Sequence, residues 1–324
     1  MFSDELSLDV ARLLIERGAN VNGQDKNHDT PLHFIHYSQV ELVRILLDCG
    51  ANANAKNKLE HTPLYEHLEQ VSEYGTPEDY WSVARLFLER GADVNERYDG
   101  RQTLLHWASE RRRLEYMQNL LDLGANVNAV GEWGRTPLHL VHDPADDFWD
   151  EDGFAPTQLL VVRGADVNQP DDAGSMPLHQ VLQRSWEIDL ELVRMLVDAG
   201  AKVNVKDHEG QTPLHTMFDS GCDHEDIFCA VLQLLMERGA DVNAQDNDHK
   251  TPLHLASHYL WLEVVWMLLG HGADPSMENK EGKTPFQLVR EAIMQEMKRP
   301  QSKYFVMRAR RVQSVVTMSL LYGY

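Results

Sequence analysis

The chain has 324 residues and a mass of 37.1 kDa, and 43% of its residues are apolar. It carries 30 basic and 51 acidic side chains, which gives a formal net charge of −21 at pH 7. This composition fits a folded protein and is too apolar for a disordered one. The acidic balance disfavours binding to nucleic-acid phosphates.

Two further classes of protein are disfavoured by the sequence. No uncharged apolar run approaches the roughly 18 residues of a membrane helix, and the acidic N-terminal stretch lacks the pattern of a signal peptide. The three cysteines, Cys49, Cys222 and Cys229, are too few for a disulfide framework. We therefore expect an intracellular protein, cytoplasmic or nuclear, without a membrane partner.

Internal repetition dominates the chain. The string Thr-Pro-Leu-His, or a near copy, occurs eight times at spacings of 32 to 41 residues. A second string of the form Gly-Ala-Asn/Asp-x-Asn precedes each copy. The copies of the first string begin at Thr30, Thr62, Thr103, Thr136, Met176, Thr212, Thr251 and Thr284. Two motifs that recur in fixed order indicate an array of one structural unit.

The unit near the C-terminal end shows what each repeat is expected to form. Thr251 is a candidate helix N-cap, and Pro252 suits the first helical position. The apolar spacing from Leu262 to Leu269 predicts a second amphipathic helix, which Gly272 ends in a left-handed conformation. Neither helix can bury its apolar face alone, so neighbouring units must stack. We predict an all-α solenoid of stacked helix pairs with short β-hairpin loops, folding as one cooperative array.

These motifs resemble the ankyrin repeat family over nearly the whole chain. The resemblance is carried by Thr251 to His254, by the run from Leu234 to Ala244, and by a shortest period of about 33 residues. It implies a binding scaffold without a catalytic residue or cofactor. It also implies that the motif histidine links its own threonine to a neighbouring hairpin; these histidines are His33, His106, His139, His179, His215 and His254. The recurrent hairpin asparagines are Asn22, Asn95, Asn128, Asn168, Asn204 and Asn243, and in some family members this asparagine is hydroxylated.

The repeats predict the domain boundaries. Residues 1–22 form an N-terminal half-repeat, which is either a makeshift cap or part of a longer protein. Repeats follow at 23–54, 55–95 with an insertion, 96–128, 129–168 with an insertion, 169–204, 205–243 with an insertion, and 244–276. Residues 277–324 form a C-terminal repeat and a basic capping helix. The insertions, Val71 to Trp81, Asp143 to Ala155 and Asp219 to Asp226, are either binding loops or tolerated surface loops.

The C-terminal stretch differs in charge from the rest of the chain. From Lys283 onward there are eight basic and two acidic residues. A final helix is predicted from Lys303 to Leu321. Its basic cluster is either a localisation or acidic-partner patch or, as we favour, the solvated face of a capping helix. The cluster comprises Lys298, Arg299, Lys303, Arg308, Arg310 and Arg311.

Candidate chemical sites are weak in this sequence. His33 with His36, and His139 with His142, have the spacing of a metal-binding pair, but a third ligand at diagnostic spacing is missing. The run Cys222 to Asp226 mixes ligand types, and we interpret it as a solvated acidic loop. No nucleotide-binding or nucleophile motif is present. We therefore predict neither a metal nor a cofactor, and we do not expect an enzyme.

The expected function is a non-catalytic, monomeric scaffold that binds one or more unidentified proteins on a concave face of hairpin tips and first helices. The alternative is a substrate-recognition arm of a ubiquitin-ligase or signalling assembly, and an enzyme ranks third. The predicted contact surface contains the residue types that dominate interface energetics. These residues are Trp133, Tyr98 and Trp107, with Arg97, Arg111 and Arg135 around them. The second choices are His258 with Tyr259, and the loop at Phe148 and Trp149.

Overall fold

The computed structural model describes residues 2–36, 38–69, 77–98, 101–141, 154–183, 189–220 and 225–297. The described residues form two compact units, of which the first ends at Ala165 and the second begins at Asp166. About half of the chain is helical, and both units consist of short paired helices. The all-α fold predicted from the repeats is confirmed.

The first unit contains eight α-helices and one short hairpin among its described residues. Strands β1 (Arg97–Tyr98) and β2 (Gln102–Thr103) pair in antiparallel fashion, with Arg97 opposite Thr103. Two 3₁₀ helices cover Pro31–Phe34 and Glu132–Gly134. The α-helices are α1 (Phe2–Glu16), α2 (Val40–Asp48), α3 (Pro63–Glu69), α4 (Pro77–Glu89), α5 (Leu104–Glu110), α6 (Leu114–Asp122), α7 (Pro137–Leu140) and α8 (Ala155–Val162).

The second unit continues the same pattern. One 3₁₀ helix, Met217–Ser220, extends a short first helix. The turns between its repeats close through backbone hydrogen bonds; in one of them the Asp207 amide donates to the Gln211 carbonyl over 2.9 Å. The helices are α9 (Pro177–Gln183), α10 (Leu190–Asp198), α11 (Pro213–Thr216), α12 (Glu225–Glu237), α13 (Pro252–His258), α14 (Leu262–Gly270) and α15 (Pro285–Met297).

Each first helix begins where the Thr-Pro-Leu-His motif predicts. Thr251 has extended backbone angles and Pro252 begins α13, because proline fixes a helical φ where no donor is needed. The first copy differs, since the residues after Thr30 form only a 3₁₀ turn. The motif therefore determines the start of the helix, while the residues that follow it determine the length.

The second helices end at the predicted glycine. Gly239 follows α12 with a φ of 85°, and a Cβ placed there would meet no atom within 4 Å. The glycine is thus required by its left-handed backbone conformation, and not by lack of space. The Ala240 amide then donates back to the Leu235 carbonyl over 3.0 Å, which satisfies the helix end.

The core lies between the helices of successive repeats. In the second unit α10 packs against both α9 and α12, and α13 packs against α14 and α15. Phe228 and Leu196 are completely buried there, as are Phe87 and Leu120 in the first unit. Burying a side chain of this size stabilises the fold by about 1.5–3 kcal/mol, so stacking of the repeats supplies most of the stability.

Exposed polar bridges also join successive repeats. Asn204 Nδ2 donates to the Gly239 carbonyl over 2.8 Å, and the Asp241 amide donates to Asn204 Oδ1 over 2.8 Å. The hairpin asparagines thus bond to the following repeat. An ion pair also joins successive repeats, with Arg238 Nη1 2.7 Å from Asp198 Oδ1. Equivalent pairs join Arg163 to Asp122 and Arg90 to Asp48.

Several predicted features lie outside the described residues. These are the helix from Lys303 to Leu321, the six-residue basic cluster, and most of the insertion that contains Phe148 and Trp149. In the part of the chain that the structure describes, none of the helices combines the length and the apolar character needed to cross a membrane.

The asparagine bridge generates a stability prediction. Replacing Asn204 by alanine removes two inter-repeat hydrogen bonds and leaves the Asp241 amide without this acceptor. We expect the free energy of unfolding to fall by about 1–2 kcal/mol, measured by urea unfolding followed by circular dichroism.

Glu237→Ala is the matched control for this prediction. Its exposed carboxylate accepts a hydrogen bond from Gln233 of the same helix, so its removal should cost less than about 0.5 kcal/mol. Equal losses in the two variants would show that the asparagine does not couple the repeats.

Candidate functional site

The motif histidines connect their first helices to the turn of the next repeat. In α11 the Thr212 amide donates to His215 Nδ1 over 3.2 Å, and His215 Nε2 lies 3.0 Å from the Lys250 carbonyl. His254 makes the same pair of bonds, over 3.1 Å to the Thr251 amide and 3.1 Å to the Lys283 carbonyl. Each imidazole therefore joins two successive repeats.

This geometry determines the protonation state of the ring. Because Nδ1 accepts from a backbone amide and Nε2 faces a carbonyl, only the neutral tautomer with hydrogen on Nε2 satisfies both bonds. Burial lowers the pKa of His106 to about 4. Burial also lowers the pKa of His179, His215 and His254. These rings are structural, as the sequence predicts.

The described residues provide no arrangement for metal binding. Among them, no group of three or more His, Cys, Asp or Glu side chains could hold an ion. His33 of the proposed His33–His36 pair bonds to the Thr30 amide and the His61 carbonyl. His142 and residues 222–224 lie outside the described part of the chain. The thiol of Cys229 is half-buried, and burial raises its pKa to about 11, so it remains protonated at neutral pH.

The second repeat replaces the histidine bridge with an aromatic stack. Tyr65 occupies the motif position of histidine, and its ring stacks on Tyr98 with centroids 4.0 Å apart. Tyr98 is only 8% exposed, and burial raises the pKa of its hydroxyl. The prediction that Tyr98 offers its ring to a partner is wrong, because that ring fills the contact between two repeats.

Trp107 is also part of the core. Its side chain is 2% exposed and packs edge to face on Tyr116 of α6, with ring centroids 5.8 Å apart. Arg111 lies over the indole at 5.2 Å and pairs with Glu69 over 3.2 Å. The predicted surface role of Trp107 is therefore wrong, and Arg111 covers a buried ring and pairs with an acid of a neighbouring repeat.

Trp133 remains exposed, as the prediction requires. Its side chain is 71% exposed at the turn between α6 and α7, and its backbone is left-handed with φ 57° and ψ 24°. Arg97 reaches the same turn, because its Nη1 donates to the Val130 carbonyl over 2.8 Å. Arg135 is half-buried beside the motif threonine. The predicted cluster is thus reduced to Trp133, Arg97 and Arg135, which we call the Trp133 surface.

The second unit contains a groove of about 680 Å³ between hairpin turns and first helices. His258 and Tyr259, the second-choice residues, both line it, with His258 exposed and Tyr259 half-buried. Its outer rim carries Glu209, Asp248 and Glu281. We call it the acidic groove.

Sequence reasoning did not identify the acidic groove, although a signal was present. Glu209, Asp248 and Glu281 each lie three residues before a motif threonine, in three consecutive repeats. Residues at the same position of successive repeats lie next to one another along the stack. Aligning the repeats by position, instead of reading each turn alone, would have shown the acidic row.

The paired helices, left-handed glycine ends and inter-repeat histidine bridges define a helical-repeat protein whose turns and first helices line a groove. The comparisons agree. A sequence model described as ankyrin repeats in three copies matches residues 3–74 and 222–289, and one described as ankyrin repeats in many copies matches residues 80–141. The matches cover more than half of the chain, which therefore belongs to the ankyrin repeat family.

Three relatives share parts of this chain. Human ankyrin repeat and SOCS box protein 16 is 33% identical over 113 residues, which are 35% of this chain and 23% of the relative. Palmitoyltransferase Hip14 of Drosophila melanogaster is 34% identical over 103 residues, 31% of this chain and 15% of its own length. Putative ankyrin repeat protein R886 of Acanthamoeba polyphaga mimivirus is 38% identical over 55 residues, which are 17% of this chain and 40% of the relative. The chain thus spans less than half of each relative.

The lowered histidine pKa values generate a pH prediction. The unfolded chain binds protons on these rings below pH 6.5, whereas folded His106 resists protonation until about pH 4. Between pH 6.5 and about 4 the unfolded state therefore binds more protons than the folded state. The contribution of His106 to the free energy of unfolding is fully present above pH 6.5 and is lost as the pH drops toward 4. Urea unfolding at several pH values measures the slope.

His106→Gln separates this effect from titration of the acidic side chains. The variant cannot gain the proton, so the slope of unfolding free energy between pH 5 and 6 should decrease by about 1 kcal/mol per pH unit. An unchanged slope would show that His106 is not buried as a neutral ring.

Proposed function

We propose that the chain is a non-catalytic scaffold that binds a protein partner, with the Trp133 surface as a principal contact. Ankyrin repeats mediate protein–protein interaction, and the proposal assigns a place on this chain to that role. The exposed, left-handed Trp133 is the observation that carries it. A large apolar ring displayed at a turn is costly unless something else uses it.

Three features suit Trp133 to binding. A bulky residue with positive φ costs about 1–3 kcal/mol and persists where surrounding structure or function requires it. The ring contributes little to the core, since most of it faces solvent. The turn that carries it is anchored, because Arg97 bonds to the carbonyls of both Arg101 and Val130. An aromatic side chain on an anchored turn loses little entropy on binding.

The remaining properties of the scaffold follow from charge and from the engaged histidines. We propose a monomer in an intracellular compartment, and the net charge of −21 supports the further proposal that it does not bind nucleic acid. A non-catalytic role is supported by the bridging histidines, whose nitrogens already hold structural hydrogen bonds.

A second candidate is the substrate-recognition arm of a ubiquitin-ligase or signalling assembly. The observation in its favour is the similarity to a human protein named for ankyrin repeats and a SOCS box. The match spans only 23% of that relative, so the simple scaffold explains the chain with fewer assumptions.

Trp133→Gly tests the proposed contact directly. Glycine accepts the left-handed backbone without strain, so the variant should retain or slightly raise the melting temperature while the ring is lost. We expect proteins captured from cell extract by the wild type to be lost, and the affinity of a captured protein to fall by about 2 kcal/mol or more. Quantitative mass spectrometry followed by titration measures both.

His28→Gly is the matched control, because His28 lies at another turn of the first unit with a φ of 64°. It removes a side chain from a left-handed turn position and should capture the same proteins as the wild type. Trp133→Gly binding like wild type would reject the contact. Equal loss in both variants would also reject it.

A further inference from the structure

The rim of the acidic groove holds one carboxylate per repeat. Glu209, Asp248 and Glu281 occupy the same turn position in three successive repeats. The turns are tied together by backbone bonds: the Asn247 amide donates to the Glu209 carbonyl, and the Lys280 amide to the Asp248 carbonyl, each over 2.9 Å. The turns that carry the three carboxylates are therefore held side by side in a row.

The groove remains negative after its own cations are counted. Lys250 pairs with Asp248 over 2.9 Å, and Lys283 pairs with Glu281 over 2.7 Å. Both lysines hold the pKa of their carboxylate partners below the usual value, so these acids are ionised at neutral pH. Two further carboxylates, Asp246 and Glu291, also line the groove. Five carboxylates against two lysines leave a net charge of −3.

The wall of the groove is aromatic and apolar. Tyr259 is half-buried and lies parallel to Phe218, with ring centroids 6.4 Å apart. Leu255 and Leu288 add apolar surface beside it. Carboxylates at the rim above an aromatic and aliphatic wall suit long cationic side chains, whose stems pack on apolar surface while their heads meet the acids.

We propose that the acidic groove binds an extended segment of a partner protein with an arginine or lysine at every third residue. Neighbouring helices pack about 8–10 Å apart, so successive rim carboxylates should be separated by about that step. An extended chain in the polyproline II conformation advances about 3.1 Å per residue with three residues per turn, so residues three apart lie on the same side and span one repeat. Each cationic side chain of the segment then meets one of Glu209, Asp248 and Glu281, with its stem near Tyr259. The row of carboxylates repels phosphate groups, which favours a basic peptide over a nucleic acid.

This proposal is independent of the Trp133 surface, which belongs to the first unit. The test uses the full chain and fluorescein-labelled peptides in fluorescence anisotropy at about 0.05 M salt, where screening is weak. One peptide contains four Arg-Ser-Ser triplets. The other has the same composition with its arginines contiguous. We expect the first to bind about tenfold more tightly or better, because only its arginines match the step of the repeats.

A pair of triple variants locates the binding. Glu209→Gln, Asp248→Asn and Glu281→Gln together remove the rim charges and should weaken the triplet peptide about tenfold or more. The matched control changes the net charge equally on the exposed faces of second helices, through Glu191→Gln, Glu237→Gln and Glu263→Gln, and should change affinity less than about twofold. Both variants should unfold at similar urea concentrations, since all six side chains are exposed.

Three results would overturn the proposal. The first is equal affinity for the two peptides, and the second is equal weakening by the two triple variants, since either indicates diffuse attraction to an acidic protein. The third is binding that occurs only after Lys298, Arg299 and Lys303 are replaced by glutamine, which would show the chain's own basic residues occupying the groove.

Discussion

A neutral, buried histidine that bonds forward to the next repeat is the interaction on which this molecule depends. In α11 and α13 its Nδ1 accepts from the amide at the start of the helix, and its Nε2 donates to the turn of the following repeat. The helix start, the turn and the spacing between repeats are therefore positioned by one side chain. Loss of either bond would leave a buried polar atom unsatisfied, which costs about 1–3 kcal/mol.

The functional surfaces follow from that constraint. Because each turn is tied to its neighbours, side chains at the turns are presented at fixed positions and a constant step. The Trp133 surface uses this rigidity to display one large ring, and the acidic groove uses it to hold three carboxylates in a row. In both cases the repeats provide the geometry, and residues outside the repeat motif provide the specificity.

The fold could be predicted from the sequence because its local rules are strict. Pro252 and Thr251 specify a helix start, and Gly272 a helix end, by backbone chemistry that does not depend on distant contacts. Burial of the aromatic residues could not be predicted as simply, since it depends on neighbouring repeats. Tyr98 is buried because Tyr65 replaces the motif histidine one repeat earlier and offers a ring to stack on. The replacement is visible in the sequence, but its consequence lies in the contact between repeats.

The burial of Trp107 also depends on its neighbours in the structure. The residue after the motif histidine is buried at Leu140 but exposed at Phe34, so comparing equivalent positions does not predict a core role for Trp107. The same comparison would, however, have revealed the acidic groove. Trp133, by contrast, could be recognised alone, because a tryptophan at a turn next to a glycine is unusual wherever the repeats place it.

The protonation state of the bridging histidines in solution is the most direct test of how the repeats are joined. A long-range ¹H–¹⁵N correlation spectrum of the full chain distinguishes the two neutral tautomers and the imidazolium. If the rings are neutral bridges, His106, His215 and His254 carry hydrogen on Nε2 at neutral pH, and His106 remains neutral down to about pH 4. Hydrogen on Nδ1, or an imidazolium at His106 near pH 6, would contradict the claim that these rings join the repeats as neutral bridges.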